Sequence, residues 1–279
     1  MKRVRTITAD NVNLIGFLYG VSNNIWNIII PGVDGNIITN DFLDIIGEHF
    51  SENNETFLFA HHRGSFQIIS NNSLDPNIKG KTIGSAFEMF DDCILDIDSW
   101  IDFALKNGAK KVNLLGHSHG CNKLIYYLVN SKKFDSYINK TIFISPLDLY
   151  TRMSRRRELN DLYNEAERII KDNKNYFLCC GFFYKSVESF YDMMKNKNLN
   201  NFPMMSDDNN NFNDFNLIKH KKYIIYGSLE SRYSKNFDIK FPLLKGVDKF
   251  IIIDDATHIY QGKEKNLADS ILEVVKEDL

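Results

Sequence analysis

The sequence predicts an α/β fold in which a mostly parallel central sheet is covered by helices on both faces. Two observations lead to this prediction: short apolar runs of strand length alternate with helical patterns, and several runs are apolar almost throughout. Strands buried on both faces of a parallel sheet have this composition, and the covering helices connect consecutive strands. At 279 residues the chain is long enough for one large domain with an inserted segment.

The elements follow from the spacing of apolar residues. Strands are expected at the apolar runs 4–8, 13–19, 26–30, 56–60, 112–115, 140–144, 223–226 and 250–253. Helices are expected at the helical patterns 41–50, 83–107, 121–130, 155–172, 184–198 and 263–277. The first two strands are separated by the turn-forming pair Asp10-Asn11, so they are expected to form a hairpin.

The segment 83–107 has the clearest helical pattern in the chain. Ile83, Phe87, Phe90 and Ile94 recur at steps of three and four residues, which places them on one face of a helix. Gly108 follows as a candidate residue to end that helix. The predicted helix 263–277 has the same kind of apolar face.

The chain is predicted to divide into a core and an insertion. Aliphatic strands are missing between residues 147 and 216, where charged helical segments and an Asn-rich loop replace them. Residues 1–146 and 217–279 are therefore expected to form the α/β core. Residues 147–216 are expected to form a helical lid over the carboxyl edge of the sheet, where ligands bind in such folds.

Composition and charge exclude several classes of protein. A net charge of −2 and a pI near 6.4 give no reason to expect nucleic acid as a partner. The basic residues at the start are not followed by an apolar segment typical of a secretory signal, and no apolar run is long enough to span a membrane. The four cysteines have neither a disulfide pattern nor zinc-site spacing, so a reduced, cytoplasmic protein is expected.

The pattern Gly-His-Ser-His-Gly at 116–120 lies between a predicted strand and a predicted helix. A Gly-x-Ser-x-Gly sequence in that position is typical of the nucleophile elbow of serine hydrolases. The turn exposes the serine hydroxyl above the sheet, and glycine on either side avoids collisions with the neighbouring strand and helix. Ser118 is therefore the candidate nucleophile.

Taken together, the elbow, the strand end Pro31-Gly32, the acid Glu230 and the late His258 resemble the α/β-hydrolase superfamily. The resemblance covers essentially the whole chain and implies the α/β-hydrolase fold. It also implies a Ser–acid–His catalytic triad that acts on a small-molecule acyl substrate and needs no metal or organic cofactor.

The triad order places the base in a loop before the last helix, where His258 lies. Two carboxylates are candidates for the acid that orients this histidine. Glu230 follows the predicted strand 223–226 and a glycine turn, and Asp148 follows the preceding strand. Asp255 is a third, less favoured candidate, because it would have to fold back sharply.

The oxyanion hole needs two backbone N–H donors. The residue after the nucleophile, His119, supplies one candidate, and Val33 in the loop after strand 26–30 supplies the other.

Other side chains are candidates for lining the pocket. The His119 side chain either lines the pocket or packs against its neighbours. The loop at Arg63 is a candidate substrate contact, and an arginine cluster at 152–157 either binds an acidic group or forms an exposed helix face.

Three functions remain open from the sequence. The leading one is a serine hydrolase that cleaves a carboxylic ester, or a related thioester or amide, through an acyl-enzyme on Ser118. The second is an acyltransferase or thioesterase in a biosynthetic pathway. The third is a binding protein that has the hydrolase fold without its catalytic activity.

Overall fold

The computed structural model describes residues 1–20, 24–72, 77, 79–174, 176–179, 184–205, 211–230 and 237–277. Its strands are β1 (Lys2–Ile7), β2 (Asn13–Tyr19), β3 (Ile25–Ile30), β4 (Thr56–Ala60), β5 (Ile69–Asn71), β6 (Lys81–Ile83), β7 (Lys111–His117), β8 (Ile138–Ile144), β9 (Phe177–Cys179), β10 (Tyr184–Ser186), β11 (Lys221–Gly227) and β12 (Val247–Ile253). Its helices are α1 (Asp41–Glu52), α2 (Cys93–Lys106), α3 (His119–Asn130), α4 (Leu149–Ser154), α5 (Arg157–Ile169), α6 (Val187–Lys195), α7 (Asn213–Leu217), α8 (Phe237–Lys240) and α9 (Glu264–Lys276). None of the helices in these ranges is long and apolar enough to cross a membrane.

Eight strands form the central sheet in the order β1-β2-β4-β3-β7-β8-β11-β12. From β4 to β12 the neighbouring strands pair in parallel, and β2 pairs antiparallel with both β1 and β4. Ile30 on β3 lies opposite Gly116 on β7, and His117 lies opposite Ile144 on β8. The register therefore brings the carboxyl ends of β3, β7 and β8 together at one edge.

Both faces of the sheet are buried, which explains the apolar strands. On β3, Ile28 and Ile30 pack into the core that includes Trp100 of α2 and Leu124 of α3. Ile29, between them, packs into the opposite core, which includes residues of α1 and α9. Side chains alternate between the two faces along a strand, so a strand covered on both sides needs apolar residues at consecutive positions.

The prediction of one helix over 83–107 was wrong at its start, since α2 begins at Cys93. Ile83 instead ends β6 and lies opposite Ile69 of β5. Gly84 follows with φ of +129°, and a Cβ there would lie 2.3 Å from the Gln67 carbonyl oxygen. This tight hairpin end excludes a helix, although the apolar spacing continues through it. Gly108, with φ of +107°, follows the helix end as predicted.

The segment 147–216 contains helices and also a short hairpin, β9–β10, which the helical prediction missed. The predicted helix 184–198 is shorter in the structure, because its first residues belong to β10 and α6 begins at Val187. Leu149, Leu159 and Phe190 form a separate small core with other residues of the same segment and with Phe90. Part of the Asn-rich loop lies outside the described residues. The division into core and lid stays a prediction.

Candidate active site

Ser118 lies at the turn between β7 and α3. Its backbone has φ of 56° and ψ of −123°, a left-handed φ that non-glycine residues adopt rarely and at an energetic cost. The Ser118 N–H donates to the carbonyl oxygen of Ile144, 2.9 Å away, and its own carbonyl accepts from the Cys121 N–H at 3.0 Å. These bonds hold the turn against β8 and the start of α3.

The two glycines of the motif are required by close backbone contacts. A Cβ on Gly116 would lie 2.8 Å from the Gly120 carbonyl oxygen. A Cβ on Gly120 would lie 2.1 Å from the carbonyl oxygen of Ile30, at the end of β3. Both distances are shorter than carbon–oxygen contact allows, so the strand–turn–helix packing needs glycine at both positions.

His258, in the loop between β12 and α9, connects Ser118 to a carboxylate. Its Nε2 lies 2.9 Å from Ser118 Oγ, and its Nδ1 lies 2.8 Å from Glu230 Oε2. A carboxylate only accepts hydrogen bonds, so it favours the tautomer with the proton on Nδ1. Nε2 then carries the lone pair that accepts the proton of the serine hydroxyl.

Glu230, which follows β11, is buried with only 1% of its side chain exposed. Its second oxygen, Oε1, accepts from the Gly227 N–H at 3.0 Å and from the Ser145 hydroxyl. The Ser145 oxygen lies 2.7 Å from the Tyr260 hydroxyl, whose pKa is raised by burial and by the nearby carboxylate. Hydrogen bonds to both oxygens compensate for the lost hydration of the carboxylate.

The alternative acid, Asp148, is held in different contacts. Its Oδ1 accepts from the Thr151 N–H at 3.0 Å and caps the N-terminus of α4, while Oδ2 accepts from the Met205 N–H at 2.6 Å. The carboxylate on Nδ1 of His258 is therefore that of Glu230. The catalytic roles of Ser118, His258 and Glu230 stay predictions.

Val33 and His119 are near enough to Ser118 to serve as the predicted donors. A Cβ on Gly32, next to Val33, would lie 3.0 Å from Ser118 Cβ, so the loop after β3 contacts the nucleophile directly. His119 is the first residue of α3, where backbone N–H groups lack partners within the helix. Neither N–H donates to any described residue. Their assignment to an oxyanion hole stays a prediction.

A cavity of about 250 Å³ opens beside Ser118 and His258. Apolar side chains from α4 and α6 of the predicted lid form part of the cavity wall, among them Leu149, Met153 and Met193. Polar side chains also line it, among them Glu88, Arg152, Arg156, Lys185, Ser189 and Asp192. Within the described residues, no three His, Cys, Asp or Glu side chains are grouped closely enough to hold a metal ion.

The side chain of His119 both lines the cavity and packs against Phe90, with 5.6 Å between the ring centres. Burial, reinforced by the Lys123 ammonium, lowers the pKa of His119 to about 3, so its ring is neutral at physiological pH. Arg63 does not line this cavity. It is buried and pairs with Asp96 and two other aspartates, and its predicted contact with substrate stays a prediction.

Several side chains that support the site were not found from the sequence. The His117 ring packs on the His258 ring at 4.9 Å between centres, and its Nε2 lies 2.9 Å from the His258 carbonyl oxygen. Ser145 and Tyr260 contact Glu230 as described above. Ser145 had one signal, its position directly after an apolar strand. The others are brought together only by the tertiary fold.

No sequence-family model and no curated protein matches this chain. The esterase Est1E from Butyrivibrio proteoclasticus, solved with ferulic acid bound, is 15% identical with a TM-score of 0.63, and 98% of each chain is covered. The α/β hydrolase GrgF from Penicillium sp. sh18 is 15% identical with a TM-score of 0.68, covering 99% of this chain and 97% of its own. The Pyrococcus furiosus esterase Pf2001 is 17% identical with a TM-score of 0.60, covering 99% and 90%.

These similarities extend over nearly all of each chain, although the sequences have diverged far. The predicted arrangement of a mostly parallel sheet with helices on both faces is confirmed. The protein has the α/β-hydrolase fold.

Proposed function

We propose that the protein is a serine hydrolase that cleaves a carboxylic ester, or a related thioester or amide, through an acyl-enzyme on Ser118. One observation carries the proposal: an unbroken chain of hydrogen bonds runs from Glu230 through His258 to the hydroxyl of Ser118. That hydroxyl opens into the cavity described above. A neutral hydroxyl needs such a base to become a nucleophile at neutral pH.

In the first step, Ser118 Oγ attacks the carbonyl carbon of the substrate and its proton passes to His258 Nε2. The imidazolium is stabilised by Glu230 at Nδ1 and then donates the proton to the leaving alcohol, thiol or amine as its bond to the acyl carbon breaks. Water enters next, gives a proton to Nε2 and attacks the acyl carbon. The proton returns to Oγ as the acid is released.

The tetrahedral intermediate carries a negative oxygen that needs donors. The backbone N–H groups of Val33 and His119 flank Ser118 and are proposed to bind this oxygen. The structural neighbours described as esterases support an ester as substrate. A cavity of this size suits a small acyl group.

Labelling with a fluorophosphonate tests the proposal, because this reagent reacts only with a serine activated by a base. We expect one label on the native protein, located on Ser118 by peptide mass spectrometry. His258→Ala should slow the labelling at least about a hundredfold, since the base is lost. Ser131→Ala, at the other end of α3, is the matched control and should label at the wild-type rate. A native protein that stays unlabelled would contradict the proposal.

A further inference from the structure

Arg152 on α4 lines the same cavity as Ser118. Its side chain is half-buried, and its guanidinium has neither an ion pair nor a hydrogen-bond acceptor among the described residues. Arg156, one turn further along the chain, differs because it pairs with Glu158 at 2.8 Å. A guanidinium without a protein partner keeps its fork of N–H donors available to a ligand of the cavity, and that fork matches the two oxygens of a carboxylate.

The charges around the cavity also favour an anion. Lys185 is buried in the wall, and its ammonium donates to two neutral oxygens, those of Ser85 and Ser189, at 2.7 and 3.0 Å. On the acidic side, Glu88 is paired with the buried ammonium of Lys123. The other acid in the wall, Asp192, accepts from the Phe90 N–H at 2.9 Å. Burial raises the pKa of Asp192, and the Lys185 ammonium opposes this rise. Lys123 and Lys185 therefore offset the two acids of the wall, and Arg152 adds a further positive charge to it.

We propose that the substrate of this site carries a carboxylate, which binds Arg152 while the scissile carbonyl lies at Ser118. The inference rests on the hydrolase function proposed above and narrows its substrate class to carboxylate-bearing esters or thioesters. Leu147, Leu149 and Met153 line the cavity together with Arg152 and suit an apolar spacer between the two groups. The carboxylate belongs to the acyl part or to the leaving group, and matched substrates distinguish the two.

Two pairs of esters, each differing in a single charge, test the inference. The acyl pair is 4-nitrophenyl hydrogen adipate and its methyl-capped diester. The leaving-group pair is the butyryl ester of 4-hydroxybenzoic acid and that of its methyl ester. For one pair we expect the wild-type protein to prefer the charged member by roughly ten- to a hundredfold in kcat/KM, mostly through KM, as for a hydrogen bond between two charged groups.

Arg152→Gln should bring that ratio close to one, whereas Arg155→Gln, on an exposed neighbour, should keep it. Equal kcat/KM for both members of both pairs in the wild-type protein would overturn the inference, and this arm needs no variant to fold. A ratio that survives Arg152→Gln would overturn it as well. Failure of the hydrolase proposal itself would look different, since neutral esters would not turn over and Ser118 would stay unlabelled.

A separate set of buried contacts holds the loop that carries Val33. His62, just after β4, accepts at Nδ1 from the Gly64 N–H at 3.0 Å and from Lys123 Nζ at 2.9 Å. Glu88 Oε1 also lies 3.1 Å from Nδ1, and this oxygen accepts a hydrogen bond from the Lys123 ammonium. A backbone N–H is able only to donate, so the Gly64 contact makes Nδ1 an acceptor and places the ring proton on Nε2. Nε2 lies 3.3 Å from the Gly32 carbonyl oxygen, to which it donates, and 3.3 Å from Lys123 Nζ.

That carbonyl belongs to the same planar trans peptide as the Val33 N–H, so the two groups point in opposite directions. The Gly35 N–H also donates to the Gly32 carbonyl oxygen, at 3.1 Å. Fixing this oxygen therefore fixes the direction of the Val33 N–H. We infer that His62 is a positioning residue that orients one donor of the proposed oxyanion hole. This inference too rests on the proposed function.

Steady-state kinetics with a trifluoromethyl ketone inhibitor test the role of His62, because this inhibitor forms an oxyanion on the serine. His62→Leu should lower kcat roughly a hundredfold with little change in KM, and should weaken the inhibitor by a similar factor. His62→Gln should recover most of the loss, since its amide N–H is able to donate to the Gly32 carbonyl.

The matched control is His61→Gln, at the adjacent position, which should keep the wild-type kcat. Wild-type kcat and inhibitor affinity in folded His62→Leu would overturn the inference. If His62→Leu does not fold, His62→Gln decides, because loss of activity in that variant despite wild-type thermal stability contradicts a role that needs only a donor. Absence of Ser118 labelling in the wild-type protein would instead contradict the hydrolase proposal.

Discussion

Ser118→Ala is expected to lower kcat for ester hydrolysis by about four to six powers of ten while leaving the fold intact. The hydroxyl is the atom proposed to attack the substrate, and enzymes that lose a triad member keep only the catalysis due to binding and the oxyanion hole. In the folded protein, the Ser118 hydroxyl bonds to His258 in a partly exposed cavity rather than filling a core. The substitution therefore removes chemistry and little packing.

The measurement is a kcat determination on activated esters, together with a thermal unfolding curve for each variant. Ser131→Ala provides the control for a serine-to-alanine change next to the same helix, at its opposite end, and should keep the wild-type kcat. If Ser118→Ala keeps more than about a tenth of the wild-type kcat, Ser118 is not the nucleophile, because the residual activity expected without one is far smaller.

Glu230→Gln is expected to lower kcat by about a thousandfold or more. Glutamine has nearly the same shape, but it has no charge to stabilise the imidazolium, and its amide group permits the wrong tautomer of His258. Burial increases the effect, because solvent cannot replace the missing charge beside Nδ1. The acid limb of the plot of kcat against pH should also move to lower pH, since an imidazole without a neighbouring carboxylate binds a proton less readily.

Asp148→Asn is the matched comparison, with the same loss of charge in the other candidate acid. Asparagine caps helices about as well as aspartate, so the N-terminus of α4 should stay formed and kcat should stay close to that of the wild type. A large loss in Asp148→Asn with a small one in Glu230→Gln would reverse the assignment of the acid.

Much of the fold was predictable because local patterns determine it. The apolar runs at β3, β4, β7, β8 and β11 reflect burial on both faces of the sheet, which the sequence expresses directly. The start of α2 was not predictable from the apolar spacing. Ile83, Phe87 and Phe90 keep helical spacing, although the β5–β6 hairpin ends at Ile83 and the backbone turns at Gly84. Apolar spacing indicates which residues face the protein interior, but it does not distinguish a helix from a turn that places the same residues there.

The candidate site was predictable only in part. The position of Ser118 could be predicted because the two glycines that its turn requires lie two residues on either side of it and are visible in the sequence. The choice between Glu230 and Asp148 depends on distances between adjacent strands and on Met205, which lies far from Asp148 in the sequence. The contacts among His62, Lys123 and Glu88 join three segments that have no common local pattern. Only the folded chain brings them together.

The hydrogen bond between Ser118 and His258 joins residues that are 140 positions apart, and this distance has a consequence during synthesis. A ribosome adds roughly 5–20 residues each second, so Ser118 is made about 7–28 s before His258. During that interval the nascent chain has its serine but no base, and it cannot attack an ester. The proposed hydrolysis therefore begins only after the last strand of the sheet and the loop that carries His258 have been made.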